Sequence, residues 1–316
     1  MRGLPLMELI DLRQLRAFGA LAETKSFTGA AQKLFLTQSA VSHSIKALET
    51  ALDCRLFDRA GKSVALTQQG RILLARSGRI FREMQAAWDE ISESGSWGAG
   101  TVRLGATMTM CQYLIPAVLR EFQLSFPRCE IRIEPGDTEA ILRRLEDGEI
   151  DLVVGLQIPK ATRFSYRKLF EDELALVVSP SHPWATQARL SPEDIEGQRF
   201  IVYGRNSFTY RLVERTFDRE GVTLTSPLEL GSMEAIKELA KIGFGVGVVA
   251  PWVASEEIAQ QTLVYRMLKN QRLSREWGIY FNRGRSLSLA EETFAGICEL
   301  VAGTFVPNRQ LEMGRT

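Results

Sequence analysis

An α/β chain in two unequal parts is predicted by three observations. Residues 26–46, SFTGAAQKLFLTQSAVSHSIK, carry two short helical patterns separated by only a few residues. Residues 69–92 carry one long amphipathic pattern, and from Thr101 onward short apolar strands alternate with helices. At 316 residues, 45% hydrophobic and 24% charged, the chain has room for a small module and one or two ordinary domains, each with its own core. The first residues, MRGLPLMELIDLRQL, lack the apolar core of a signal peptide, and no segment approaches the apolar length of a membrane span. A cytoplasmic protein without a membrane partner is expected.

The paired short helices come first. Ser26 and Thr28 stand before an Ala30, Ala31, Leu34, Phe35 stripe, where a hydroxyl accepts from orphan amides of the first turn. One helix therefore starts at 27 or 28. Thr37 caps a second, whose Ala40, Val41, Ile45, Leu48 and Leu52 share one face and leave Gln38, Ser39, Ser42, His43 and Lys46 on the other. That other face is polar, short-chained and nearly free of acid. The brief turn around Leu36 forces a steep crossing, a helix-turn-helix, with the second helix shaped to enter a DNA major groove.

Charge divides the same way. The whole chain is formally +1, with 39 basic and 38 acidic residues, which argues against a general polyanion binder. Yet 12 basic and 5 acidic side chains lie between Asp11 and Arg82, a net of +7, which leaves −6 for the remainder. Phosphate neutralisation favours the basic end.

The run from Leu12 to Gly70, with LRQLRAFGALAETKSFTGAAQKL, TQSAVSHSIKALE, LFDR and LTQQG, resembles the amino-terminal domain of LysR-type transcriptional regulators. That resemblance implies a winged helix-turn-helix over residues 1–68, with Asp58 to Leu66 as the wing and Thr67 capping a linker helix. The residues support the wing independently. Gly61 permits a turn, Ser63 to Leu66 suit a short strand, and Arg59 and Lys62 bring charge toward a phosphate backbone. The expected contacts to double-stranded DNA are Ser26, Thr28, Thr37, Gln38, Ser39, Ser42, His43, Lys46, Arg59 and Lys62. Two positions depart from the family's usual pattern: Ser39 stands where many members have Pro, and His43 where many have Arg. Ser39 is harmless early in a helix. His43 offers one hydrogen bond in place of a bidentate contact to guanine, so the operator sequence does not transfer.

In residues 69–92, Ile72, Leu73, Ala75, Ile80, Met84, Ala87, Trp88 and Ile91 form an apolar stripe on a helix longer than a small module's core needs. The stripe packs against the same helix of a second copy or against its own domain, and the resemblance favours the dimer. It also implies a homodimer or homotetramer on two-fold symmetric half-sites, with RNA polymerase as a further partner. Residues 93–100, ESGSWGAG, read as a flexible hinge.

Residues 101–316 are then predicted as a two-lobed α/β domain. TVRLGAT is a strand, Tyr113 to Phe126 a helix, EIRIEPG a strand, Thr138 to Asp147 a helix and IDLVVGL a buried strand. LALVVSP and RFIVYG add strands, and a second block follows with a helix over Tyr210 to Glu220, then LELG, a helix over Ser232 to Ile242, and GVGVVAP. Two lobes with crossing strands resemble the family's effector domain and, more distantly, periplasmic solute-binding proteins. In open α/β sheets a ligand sits beyond the carboxyl ends of the strands. That rule selects Thr107, Met108, Thr109, Asp137 and Thr138 in one lobe, and Gly204, Arg205, Asn206, Ser207, Ser232 and Met233 in the other. Thr107, Thr138 and Ser232 suit helix caps equally well. If Arg205 points inward, a small anionic effector follows, since guanidinium grips carboxylate as a fork. The glycine-rich GFGVGVV follows a helix and continues as a strand, so it is no dinucleotide fingerprint.

Enzymatic chemistry finds no foothold. Only His43 and His182 are present, the latter in an SPSHPW turn, and no nucleophile, base and acid assemble around them. Cys54, Cys111, Cys129 and Cys298 form no CxxC pair, so neither a structural metal nor a cofactor is expected. Cys111, beside a helix start, is either a packed inert thiol or a redox-sensing one. A solute-binding protein without a transcriptional role is the rival reading for residues 101–316, but it leaves the first module unexplained.

Overall fold

Capping sets the helix boundaries of the amino-terminal unit in the computed structural model, which describes residues 10–60, 63–92, 99–159, 161–187, 190–224, 227–268 and 271–304. The chain divides into two units, residues 1–94 and 95–316. In the first, Asp11 and Gln14 form a capping box at the start of α1 (Leu12–Thr24). Ser26 Oγ accepts from Gly29 N at 3.2 Å to open α2 (Phe27–Leu34), and Thr37 Oγ1 accepts from Ala40 N at 3.2 Å to open α3 (Gln38–Ala51). Left-handed residues Lys25 (φ 52°) and Phe35 (φ 56°) end α1 and α2 and turn the chain between helices. The three helices bury Leu15, Phe18, Leu21, Ala30, Val41, Ile45 and Leu48 in one core.

Strands β1 (Phe57–Ala60) and β2 (Ser63–Leu66) pair antiparallel, Phe57 opposite Leu66 and Ala60 opposite Ser63. They form the wing. Gly61 and Lys62, expected at its tip, lie outside the described residues. Glu49 ties the wing to α3, its Oε1 accepting from Leu56 N at 2.8 Å and Phe57 N at 3.3 Å. Thr67 Oγ1 accepts from Gly70 N at 3.0 Å and donates to Arg55 O at 2.8 Å, which caps α4 (Gln68–Ser92). Gly70 is demanded here, because a Cβ would stand 2.1 Å from the Leu56 carbonyl oxygen. Leu73 and Phe81 of α4 pack on the helical core, whereas Ile72, Ile80 and Met84 are exposed. The side chains of Ala87, Trp88 and Ile91, and residues 93–98 of the expected hinge, lie outside the described set.

The second unit begins with β3 (Ala99–Ala106), α5 (Met108–Tyr113), α6 (Ile115–Ser125), β4 (Arg128–Pro135), α7 (Thr138–Glu146) and β5 (Leu152–Leu156). Its long strand β6 (Phe164–Val178) leads into α8 (Pro192–Ile195), β7 (Phe200–Tyr203), α9 (Phe208–Arg219), β8 (Leu228–Leu230), α10 (Met233–Lys241) and β9 (Val246–Val249). There follow α11 (Ser255–Ala259), β10 (Val264–Arg266), β11 (Leu273–Asn282) and α12 (Leu289–Ala302). The sheet order is β4-β3-β5-β11-β6-β9-β7-β8, with β10 beside β6. Strands β4, β3 and β5 run parallel, as do β9, β7 and β8, and antiparallel β6 and β11 join the two groups. Each group is a lobe with its own core: Leu104, Val118, Val154 and Phe294 in one, Leu176, Ile201, Val213 and Ile236 in the other.

Three expectations change. The helix read from Tyr113 to Phe126 is α6, Ile115–Ser125, and the sequence reading missed α5 (Met108–Tyr113) just before it, which ends at Leu114 because Pro116 in the first turn of α6 has no N–H to continue its ladder. The strand read as LALVVSP begins at Phe164, its first half concealed by the charges of FSYRKLFEDE. Phe35, grouped with the buried stripe of α2, is 96% exposed, since the chain leaves the helical path at that left-handed residue. Among the described residues no helix is long and apolar enough to cross a membrane.

Candidate DNA interface and ligand cleft

On α3, Val41, Ile45 and Leu48 are fully buried, which turns Gln38, Ser39, His43 and Lys46 outward with Ser42 half-buried beside them. A helix repeats every 3.6 residues, so these five make one continuous surface. Thr37 adjoins it at the helix start, its Oγ1 also 3.0 Å from Ser39 Oγ. Ser26 and Thr28 are exposed around the start of α2. Arg59 has its backbone in β1, while its side chain, like all of Lys62, falls outside the described residues. Glu49 escaped the sequence reading. Nothing local marks an acid that accepts from a strand seven residues on.

In the second unit a cleft opens between the lobes, enclosing about 340 Å³ including its solvent mouth. Thr107, Thr109, Asp137, Thr138, Ser207 and Met233, all selected from the sequence, line it. Leu156, Tyr203, Phe208, Thr209, Arg275 and Trp277 also line it and were missed. Four hydroxyls already accept protein N–H groups. Thr107 Oγ1 takes Met110 N at 3.4 Å, Thr138 Oγ1 takes Leu156 N at 3.2 Å, Ser207 Oγ takes Tyr210 N at 3.0 Å, and Thr209 Oγ1 takes Arg275 Nη1 at 3.0 Å. The starts of α7 and α10 carry no side-chain cap, in contrast to those of α5 and α9. Their leading amides remain as donors.

Arg205 is where the structure corrects the sequence reading. It lies on the surface away from the cleft lining, its Nε donating to Glu229 Oε1 at 2.6 Å and its backbone N to Oε2 at 3.1 Å. The guanidinium in the cleft belongs to Arg275. It is buried on β11, with Nε 2.9 Å from Asp172 Oδ1 and Nη2 on Asp172 Oδ2. Trp252 Nε1 donates to the same Asp172 carboxylate at 2.9 Å. Met108, Gly204, Asn206 and Ser232 likewise stay out of the lining. They flank helix starts, and the strand-end rule cannot say which neighbour turns inward.

Asp137 is exposed at the rim. Burial, with the Asp137 carboxylate adding to it, raises the Tyr203 phenol above its ordinary range. Away from the cleft floor the lobes are bridged by Tyr113 of α5, which hydrogen-bonds Glu234 of α10. Beneath that bridge Lys237 is buried 3.0 Å from both Glu234 and Glu257. Burial alone would lower its ammonium, but those carboxylates and Tyr113 hold it above the ordinary lysine range. A second bridge pairs Arg211 of α9 with Glu139 of α7.

Cys111 is half-buried, and burial pushes its thiol up, only partly offset by its own backbone amide. His182 is a turn cap, Nδ1 accepting from Trp184 N at 3.2 Å. Among the described residues no group of acids, cysteines and histidines is placed to hold a metal ion.

The profile described as "Bacterial regulatory helix-turn-helix protein, lysR family" matches residues 12–71, and that described as "LysR substrate binding domain" matches residues 98–301. A "Probable RuBisCO transcriptional regulator" of Cyanidium caldarium is 30% identical over 301 residues, covering 93% of this chain and 94% of its own. The regulatory domain of CcmR from Synechocystis PCC6803, solved in complex with 2-PG, is 27% identical with a TM-score of 0.59, covering 64% of this chain and 97% of that domain. Full-length CbnR, solved with its target DNA, has a TM-score of 0.61 at 19% identity, covering 92% of this chain and 100% of its own.

Proposed function

The chain belongs to the LysR family and is a transcriptional regulator with a helix-turn-helix domain and an effector-binding domain, and from that premise we propose which residues do each part of the work. The exposed face of α3 reads DNA. Gln38, Ser39, Ser42, His43 and Lys46 meet base edges or phosphates, Ser26, Thr28 and Thr37 anchor the flanking backbone, and Arg59 and Lys62 of the wing add phosphate contacts. The single observation that carries this is the polar face of α3 formed by Gln38, Ser39, Ser42, His43 and Lys46, none of them acidic, set opposite fully buried Val41, Ile45 and Leu48.

The cleft between the lobes is the effector site, and the effector is a small oxyanion. Its hydroxyls and uncapped helix starts supply donors, and the related CcmR domain holds 2-PG. Ile72, Ile80 and Met84 leave an apolar stripe on α4 that supports dimerisation with a second copy, on DNA half-sites related by two-fold symmetry, as a homodimer or homotetramer. Effector binding shifts the lobes, residues 93–100 pass the change to α4, and operator affinity alters by the same coupling energy that DNA exerts on effector binding. The protein acts in the cytoplasm, contacts RNA polymerase and performs no catalysis.

Gel retardation of an operator selected from a randomised pool tests this reading. Specific retardation that weakens steeply with salt and changes with 2-PG supports it. Absence of retardation at low salt rejects it.

A further inference from the structure

The polar groups of the cleft differ in what they have left to give. Arg275 has little: its guanidinium is engaged by both oxygens of Asp172 and by Thr209, on residues that are almost fully buried. A ligand anion that took it over would strip Asp172 of its partner in a dry site. The hydroxyls of Thr107, Thr138, Ser207 and Thr209 stand the other way, since each oxygen accepts from a protein N–H and keeps its own O–H for another acceptor. Trp277 goes further. It lines the cleft two residues along β11 from Arg275, on the same strand face, with the guanidinium 5.0 Å from its ring centroid. Its buried indole Nε1–H has no acceptor among the described residues. Indole is a donor only, and a buried donor without a partner is disfavoured unless something arrives to meet it.

We propose that Trp277 is a specificity-determining residue of the effector site: its indole N–H donates to an oxygen of a small carboxylate or phosphate ester, which the cleft hydroxyls hold in place of a guanidinium clamp. This rests on the reading of the cleft as the effector site and names the group that reads the ligand. The Asp172–Arg275 pair then acts as a fixed floor, holding Thr209 and the face of Trp277 while staying closed to the ligand. An effector with an apolar group at this point, or with another donor, leaves the indole unsatisfied and is discriminated against.

The test uses the full chain with indole-¹⁵N tryptophan and three probes: 2-PG, acetate and inorganic phosphate. The last two separate recognition of a carboxylate from recognition of a phosphate. With whichever probe binds, the Trp277 indole resonance is expected to move downfield at saturation, as a hydrogen bond forms. W277F is expected to bind that probe roughly 10- to 100-fold more weakly. The resonance is assigned by its loss in W277F or, should that variant not fold, by replacing the other four of the five tryptophans in turn. A probe that raises the melting temperature of the wild-type chain but leaves the Trp277 resonance unmoved overturns the assignment and spares the cleft. No response of the wild-type chain to any probe at millimolar concentration overturns the oxyanion reading of the cleft and the role of Trp277 together.

Discussion

The two functional surfaces are built on opposite plans. The proposed DNA-reading face lies on one helix, its polar side chains turned to water and its order supplied by the apolar residues behind them. The cleft is gathered from two lobes and two crossing strands, and most of its polar atoms are already tied to one another. A substitution on α3 therefore removes a contact to a partner and little else. One in the cleft floor disturbs folding before it disturbs binding.

The sharpest way to break that contrast is Asp172→Asn. Arg275 and Asp172 have side-chain exposures of 1% and 3%, so the change leaves a buried guanidinium without its countercharge. A loss of about 3–5 kcal/mol is expected, confined to the unit of residues 95–316. Calorimetry should show the effector unit melting earlier, with the amino-terminal unit's transition in place. If stability is retained and only effector affinity falls, the pair serves the ligand and the fixed-floor account is wrong.

Next in size is Ser42→Glu on α3. A carboxylate facing phosphate should lower operator affinity by at least about 100-fold, through repulsion across the interface. Oligomeric state by gel filtration and melting temperature should stay as they were, because Ser42 is only half-buried and outside the core. Operator affinity that survives the change would move the recognition surface off this helix.

Legibility in the sequence follows the same division. Ser26 and Thr37 announce their helices by short-range capping, and the 3.6-residue period sorts α3 into faces, so both can be read from neighbours in the chain. Glu49 could not, because its partners Leu56 and Phe57 are defined only once the wing has folded back. In the cleft the strand-end rule found Thr107, Asp137, Thr138 and Met233, whose places depend on one strand and the helix after it. It missed Arg275 and Trp277 because β11 crosses from lobe to lobe, and the strand partners of these two residues on β6, Asp172 and Phe170, lie more than a hundred residues earlier. Arg205 misled for a simpler reason. An arginine beside a helix start reads the same whether it turns inward or, as here, back to Glu229.

The linker helix stands between the two plans, with one face spent on its own core and the other exposed. Ile80→Asp places a charge in the exposed stripe of Ile72, Ile80 and Met84. Phe81 and Leu73, on the packed face, are untouched. The monomer should therefore remain folded while dimers dissociate in sedimentation experiments. Operator affinity should fall about tenfold or more as two linked half-site contacts become one. Unchanged sedimentation would place the dimer contact elsewhere.

Asp137→Asn should give the smallest effect and the most telling sign. Asp137 is the exposed acid at the cleft rim, near the uncapped start of α7, where its negative charge opposes an anionic ligand. If the cleft takes an oxyanion as proposed, removing the charge should tighten its binding by roughly 2- to 5-fold, the scale of one partly solvated charge pair, and more so at low salt. The Tyr203 phenol, raised by burial and by this carboxylate, should move back toward its ordinary range. The cleft would then differ from α3 in one further respect. Gln38, Ser39, Ser42, His43 and Lys46 put no acid on the outward face of α3, whereas Asp137 puts one at the cleft rim, where tighter binding in Asp137→Asn would show that it holds effector affinity down. Weaker binding in Asp137→Asn would reverse that argument and make Asp137 a ligand contact, with a donor on the effector facing it.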